Sequence, residues 1–319
     1  QQSICSPSRA SLMTGARPDE IGVIENTAYF RDLNPNIVTL PQHFIKNGYE
    51  AVYCGKIYHA RMTDHEYSWS RKPAHNQCPV KMKWLPGGYA LPQNQKLWVS
   101  NKEKMLAKYG NEGSGGLIHG PAYESADVPD HAYSDGYSTR LAIATLKDHR
   151  KKKPDQPLFL ALGFKKPHLD FVAPKKYWDM YDHDLIQLAN NSYQPENSPF
   201  IAIEAQHNSA ELRKNYLDIP AQGKLNDDLA RNLIHGYYAS VSYMDALIGE
   251  LIKELDDLGL RENTTIILWS DHGYFLGEHG FWCKHSTFHE AVKIPFIISS
   301  AGYAKNQTTD SFTELVDVY

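Results

Sequence analysis

Nine apolar residues, Leu229, Leu233, Tyr237, Val241, Met244, Ile248, Leu251, Leu255 and Leu258, recur at spacings of three and four. That period lays a stripe along one face of a helix over 227–258. Asn226 can cap its start by accepting a first-turn amide, and Gly259 can end it. A stripe of that length must be covered, and the chain holds short apolar runs at 49–55, 157–164, 264–270 and 294–299. The continuous run at 157–164 reads as a buried strand. Helical stretches at 7–14, 39–48 and 137–150 alternate with these runs. The alternation predicts an α/β layered domain with a largely parallel sheet.

In an open sheet of this kind, ligands bind outside the carboxyl ends of the strands. Three candidate groups fall at such ends: Lys56 with His59, Lys166 with His168, and Asp271 with His272. The coincidence predicts one shared site. Each group alone says less. A Lys-x-x-His spacing is common, an Asp-His pair often only shapes a turn, and Lys284 in Trp282-Cys283-Lys284-His285 would by itself be a solvated lysine. Lys166-Pro167-His168 is more specific, because proline fixes the backbone that aims the histidine. Glu278-His279 can support the site or cap its loop, and capping is the favoured reading. Residues 60–130 and 170–225 show little periodicity and are expected to be irregular excursions, the second with short helical pieces. Lys151-Lys152-Lys153 reads as a solvated helix end.

With 319 residues, 42% of them hydrophobic and 22% charged, the chain has room for one large domain or two smaller ones. The net charge of −4, with no basic stripe, argues against a nucleic-acid partner. No apolar run approaches the roughly 20 residues that span a bilayer. Four cysteines, Cys5, Cys54, Cys78 and Cys283, are too few and too scattered for a disulfide framework or a zinc ribbon. The chain opens on Gln1-Gln2-Ser3, without Met or a leader, and stops at Asp317-Val318-Tyr319; it reads as an internal fragment.

The stretch from Cys5 to Gly15 fills all seven fixed positions of C-x-P-S-R-x-x-L-x-T-G. A lone cysteine is usually a small buried hydrophobe, but six filled partner positions argue otherwise. Pro7 is tolerated in a first turn, so Cys5 is expected at a helix N-terminus, where free N–H groups and the dipole favour an anion. Arg9, one turn on, can bridge the nucleophile and an anion. The pattern resembles the type I sulfatase signature, in which the cysteine is oxidised to formylglycine and the hydrated aldehyde is the nucleophile. Gly55-Lys56-Ile57-Tyr58-His59, Lys166-Pro167-His168, the blocks at 237–245 and 270–280, Lys284 and Glu314-Leu315-Val316-Asp317 resemble the iduronate-2-sulfatase branch of that family. The resemblance covers nearly the whole chain, apart from 60–130 and about 190–220.

Cleaving a sulfate monoester needs a nucleophile, positive charge around the sulfuryl oxygens, a proton donor for the leaving oxygen and often a metal. The resemblance implies these roles. Cys5, as formylglycine, attacks sulfur. Arg9 and Lys56 stabilise the diol and the anion. His59 helps deprotonate the diol in the elimination step. His168 and Lys284 bind the sulfate, with His168 the candidate proton donor. Asp271, His272 and residue 5 hold a calcium ion, whose preference for six to eight oxygens asks for further ligands.

The implied fold is an alkaline-phosphatase-like α/β/α sandwich with a mostly parallel mixed sheet. It is expected to be incomplete, lacking a first strand that carries two Asp ligands and a C-terminal subdomain. Residues 1–319 alone are therefore expected to bind calcium weakly and turn over little substrate. The implied partners are a sulfated carbohydrate, with an iduronate-2-sulfate-type unit as the expected target, and a formylglycine-generating enzyme. The implied location is exported: periplasmic, extracellular or lysosomal. Asp170, where relatives often carry proline, is expected to alter the substrate pocket. Two alternatives keep the fold: a phosphonate or phosphate monoester hydrolase, and a non-catalytic carbohydrate-binding relative in which Cys5 stays a thiol.

Overall fold

The computed structural model describes residues 2–59, 63–110, 119–203 and 209–319. Its main helices are α1 (Cys5–Thr14), α2 (Leu40–Lys46), α3 (Pro92–Tyr109), α4 (Ser134–Lys152), α5 (Ala210–Asn215) and α6 (Asp227–Asp257). The strands are β1 (Glu50–Gly55), β2 (Tyr123–Ala126), β3 (Leu158–Gly163), β4 (Phe171–Pro174), β5 (Ile266–Trp269), β6 (Phe275–Leu276), β7 (Trp282–Cys283) and β8 (Phe296–Ser299). β1 runs parallel to β3 and β2 parallel to β4, whereas β5 with β8 and β6 with β7 are antiparallel. The α/β class read from the alternation is the class observed, with parallel and antiparallel pairs mixed.

Two glycines let the ends of β1 and β3 meet. Gly55 lies opposite Gly163 in the register. Gly55 has φ +75°, and a Cβ there would stand 2.0 Å from the Gly163 carbonyl oxygen. A Cβ on Gly163 would stand 1.8 Å from the Lys56 carbonyl oxygen. Only glycine at both positions permits this approach, and the approach sets where Lys56 leaves the sheet.

α6 starts where Asn226 Oδ1 accepts the Leu229 N–H at 2.8 Å. Its covered face runs through Leu233, Ala239, Tyr243 and Leu247 and packs on β4 and α4. Val241, in the expected apolar stripe, is 44% exposed. Three successive steps of four, each about 40° past a full turn of 3.6 residues, carry Val241 round from Leu229 and off the covered face. α2 begins with a Thr39–Gln42 capping box, with Pro41 in its first turn. All ten residues of α1 are buried, with Leu12 and Met13 packing among Ile21, Phe30 and Leu40.

Three expectations need correction. β3 is half-buried along its whole length rather than buried. The stretch 60–130 is not simply irregular, since α3 occupies 18 of its residues and β2 lies near its end. Only Met105 of α3 is buried, so the helix carries almost no apolar stripe to read. The stretch 170–225 holds a strand, β4, besides the short helix α5. Residues 60–62, 111–118 and 204–208 of these two stretches lie outside the described residues.

Candidate active site

α1 begins at Cys5, and the next four residues of the signature explain its spacing. The Ser8 hydroxyl donates to the Asp271 carbonyl. Arg9 Nε donates to Asp271 Oδ2 at 2.7 Å, while its Nη1 donates to the carbonyls of Lys56 and Ile57, each at 2.8 Å. Arg9 is buried, so it is not a surface arginine. It ties α1 to the loops that follow β1 and β5. Adjacent Ser and Arg, three and four residues beyond the cysteine, thus fix Asp271 through both backbone and side chain.

The expectation that α1 offers free N–H groups to an anion holds for fewer amides than a bare helix end would give. Asn26 Oδ1 accepts the Ser6 N–H at 3.0 Å, Pro7 has none, and the Ser8 N–H goes to the Ile4 carbonyl at 3.1 Å. Side chains add positive charge. Lys56 Nζ stands 3.8 Å from Cys5 Sγ, and His272 Nε2 stands 3.4 Å from it. His272 Nδ1 donates to the Gly273 carbonyl at 2.8 Å, so Nε2 is the nitrogen that faces the thiol. Burial pushes the Cys5 thiol up, but the His272 hydrogen bond and the charges of Lys284 and Lys56 outweigh burial and Asp271, and its pKa falls below the ordinary value.

Burial raises the Asp271 carboxyl, but Arg9, His272 and Lys56 more than offset it and hold the carboxyl far below the usual range. Cys5, Asp271 and His272 place one ligand atom each within 4.8 Å of one another. The predicted metal residues are thus brought together, with an ionised carboxylate at their centre.

His59 Nδ1 is buried with no hydrogen-bond partner among the described residues. Burial, then Lys56, Arg9 and Lys284, lower its pKa to about 4, so at neutral pH the ring is uncharged and can take a proton. Burial and Arg9 also lower Lys56.

The third strand end supplies His168. Asp135 accepts the N–H groups of Lys165 and Lys166, each at 2.9 Å, anchoring the turn. Lys166 Nζ donates to the backbone carbonyl of Asp170 and lies 3.4 Å from its Oδ2. Asp170, 5% exposed, braces this turn from within, and Lys166 is its counter-ion. His168 Nδ1 donates to the Leu169 carbonyl at 2.6 Å, and Nε2 lies 3.1 Å from Lys284 Nζ. Cys283, at a left-handed φ of +80°, delivers Lys284 to this point, where it is 2% exposed. Burial lowers Lys284, but Glu211 and Cys5 raise it above its ordinary value.

Glu278 accepts the Leu276 N–H at 2.6 Å, which is the capping role expected for it. Glu211, Asn26 and Asp135 were not legible as site residues. Each is a single polar residue in a stretch without a motif, and its partners lie far away in sequence.

A sulfatase family model matches residues 1–319. The chain belongs to the sulfatase family. The iduronate 2-sulfatase of Mus musculus is 34% identical to it over 310 residues, and that of Homo sapiens 33% over 313, each match covering 95% of this chain and 52% of the relative. The chain thus spans about half the length of these curated relatives. Among solved structures, a phosphonate monoester hydrolase from Silicibacter pomeroyi superposes with a TM-score of 0.67 at 19% identity, covering 98% of this chain and 62% of that one. A protein solved in complex with its substrate D-glucosamine-2-N,6-O-disulfate gives 0.62 at 18% identity, covering 94% of this sulfatase chain and 62% of that one. These likenesses show the fold, which is alkaline-phosphatase-like. Among the described residues, no helix of this sulfatase is long and apolar enough to cross a membrane.

Proposed function

We propose that this chain carries the reactive centre of a sulfuric ester hydrolase that removes sulfate from a sulfated sugar, with an iduronate-2-sulfate-type unit of a polysaccharide as substrate. The observation that carries the reading is the setting of Cys5. It is the first residue of a buried helix, its thiol lies against His272 and Lys56, and its signature partners Ser8 and Arg9 hold Asp271 beside it. The 34% identity to an iduronate 2-sulfatase supports the sugar class.

Formylglycine at position 5, installed by a maturing enzyme, would supply an oxygen nucleophile in place of the thiol. Calcium held by Asp271, His272 and residue 5 would supply Lewis-acid charge at that oxygen and at the ester. The donor set fits in part: Asp271 is ionised, His272 presents Nε2 beside it, and conversion of Cys5 would replace a soft sulfur with the oxygen a hard cation prefers. Three donors fall short of the six to eight calcium takes, so water, the ester and further protein oxygens complete the set.

The remaining work belongs to the chain's own side chains. Lys56 and Lys284 hold the sulfuryl oxygens, His168 donates a proton to the leaving oxygen, and neutral His59 accepts one when the enzyme is regenerated. Export to a periplasmic, extracellular or lysosomal space accords with the family resemblance.

The reading is tested with matched esters. Enzyme matured in its native host is expected to release sulfate from a 2-O-sulfated uronate disaccharide; turnover of the matched phosphonate ester alone would contradict it. Calorimetric titration should show calcium binding that Asp271→Asn weakens.

A further inference from the structure

The geometry points to Glu211 as a positioning residue that clamps His168 and Lys284 together as a charged pair, so that His168 keeps the proton it delivers to the leaving oxygen. The inference rests on the sulfatase reading of the site. Glu211 lies on α5, and its two oxygens divide the work. Oε1 is 3.0 Å from His168 Nε2. Oε2 is 2.9 Å from Lys284 Nζ and 3.8 Å from His285 Nε2.

The clamp answers a specific difficulty. His168 Nε2 and Lys284 Nζ are 3.1 Å apart, and Lys284 is almost wholly buried. Two positive charges at that separation, away from water, repel strongly. The imidazole is the weaker base of the two, so it would lose its proton first. A proton donor that is unprotonated at working pH cannot act. A carboxylate bridging both groups offsets part of the repulsion.

The tautomer fits this role. His168 Nδ1–H is committed to the Leu169 carbonyl, so the proton that distinguishes acid from base sits on Nε2, the nitrogen facing Glu211. The charged groups facing His168 are Lys284, Glu211 and Lys56, while the Lys166 ammonium reaches only its backbone carbonyl, at 3.2 Å. Burial and then Lys284 bring the His168 pKa below its ordinary value, and Glu211 opposes them without fully cancelling them. Burial raises the Glu211 carboxyl, but His168, His285 and Lys284 hold it well below the carboxylate range, so it is charged throughout the working range. In the step itself, the ester S–O bond breaks, the departing oxygen keeps the electron pair and takes the Nε2 proton, and a hydroxyl oxygen on residue 5 forms the new S–O bond and gives up its proton to water.

The test is Glu211→Gln, read in two ways on the full chain. By NMR, the His168 titration midpoint should fall by about 1–3 pH units, with Glu211→Asp restoring part of the shift. In turnover, kcat for an alkyl sulfate, whose leaving oxygen needs a proton, should fall about 10²-fold. An aryl sulfate with a nitrophenol leaving group needs none and should lose far less. An unmoved midpoint, or equal losses on both esters, would overturn the inference. Glu211→Ala serves if the amide does not fold. Should the unmutated enzyme cleave neither ester, the sulfatase reading fails, and the NMR titration still decides whether Glu211 holds the His168 proton.

Discussion

Glu50 at the start of β1 and Asp271 beyond the end of β5 are both buried carboxylates, and they are satisfied in different ways. Glu50 accepts from Lys153 and His149 at 2.7 Å each and pairs with Arg71 at 3.0 Å. His149 spends its other nitrogen on the Gln156 carbonyl at 2.8 Å. Burial raises the Glu50 carboxyl, but Lys153, His149 and Arg71 outweigh it and bring its pKa to about 2. This cluster is closed, with each buried polar atom of Glu50 and His149 matched.

At the other end of β1, Arg9 satisfies Asp271, but Lys56 and His272 also converge on Cys5 and Lys284 stands against His168, with Glu211 added on the acidic side. His59 Nδ1 is left buried and unpartnered among the described residues. Unmatched buried groups cost stability. A surplus of positive charge that burial has kept dry is also what an anionic ester and its developing charge require. Closed clusters hold a fold together, and open ones do chemistry.

That contrast can be broken by mutation. The largest effect belongs at the open end: Cys5→Ala should lower sulfate release by at least about 10⁴-fold, with the melting temperature nearly unmoved. Lys284→Ala should come next, lowering kcat/KM by about 10²-fold. The closed end should behave in the opposite way. Glu50→Gln removes the carboxylate shared by Lys153, Arg71 and His149 and should cost about 3–5 kcal/mol in urea unfolding, while activity per folded molecule stays the same; lost activity in the folded variant would erase the distinction.

The sign of the pH effect sharpens it. The Glu50 pKa is depressed from 4.5 to about 2 on folding, so its stabilisation is complete above pH 4.5 and disappears as pH falls towards 2. Between those values the urea midpoint of the unmutated chain should drop more steeply than that of Glu50→Gln. The smallest effect is expected at Val241, whose exposure should limit Val241→Ser to within about 0.5 kcal/mol.

Much of this molecule could be read before any coordinates. The strand ends announced Lys56, His59, His168, Asp271 and His272, because a βα chain delivers its post-strand residues to one edge of the sheet. Cys5 stood out by its spacing, and the structure adds the reason for Ser8 and Arg9. Glu211 was hidden, since its partner Lys284 is 73 residues away and no local pattern marks a lone glutamate. α3 escaped because its single buried residue leaves no period to detect. The bracing role of Asp170 was hidden as well, since only the folded turn shows Lys166 beside it. What is local or periodic is legible in one dimension, and what closes a charge cluster across the fold is not.

The central claim is that residue 5 acts as a modified nucleophile, and mass spectrometry of the Cys5 peptide from enzyme purified out of its native host tests it most directly. The account predicts a peptide lighter than the cysteine form, which reacts as an aldehyde, from a preparation that releases sulfate. An intact thiol at position 5 in a preparation releasing sulfate at the same rate would contradict it.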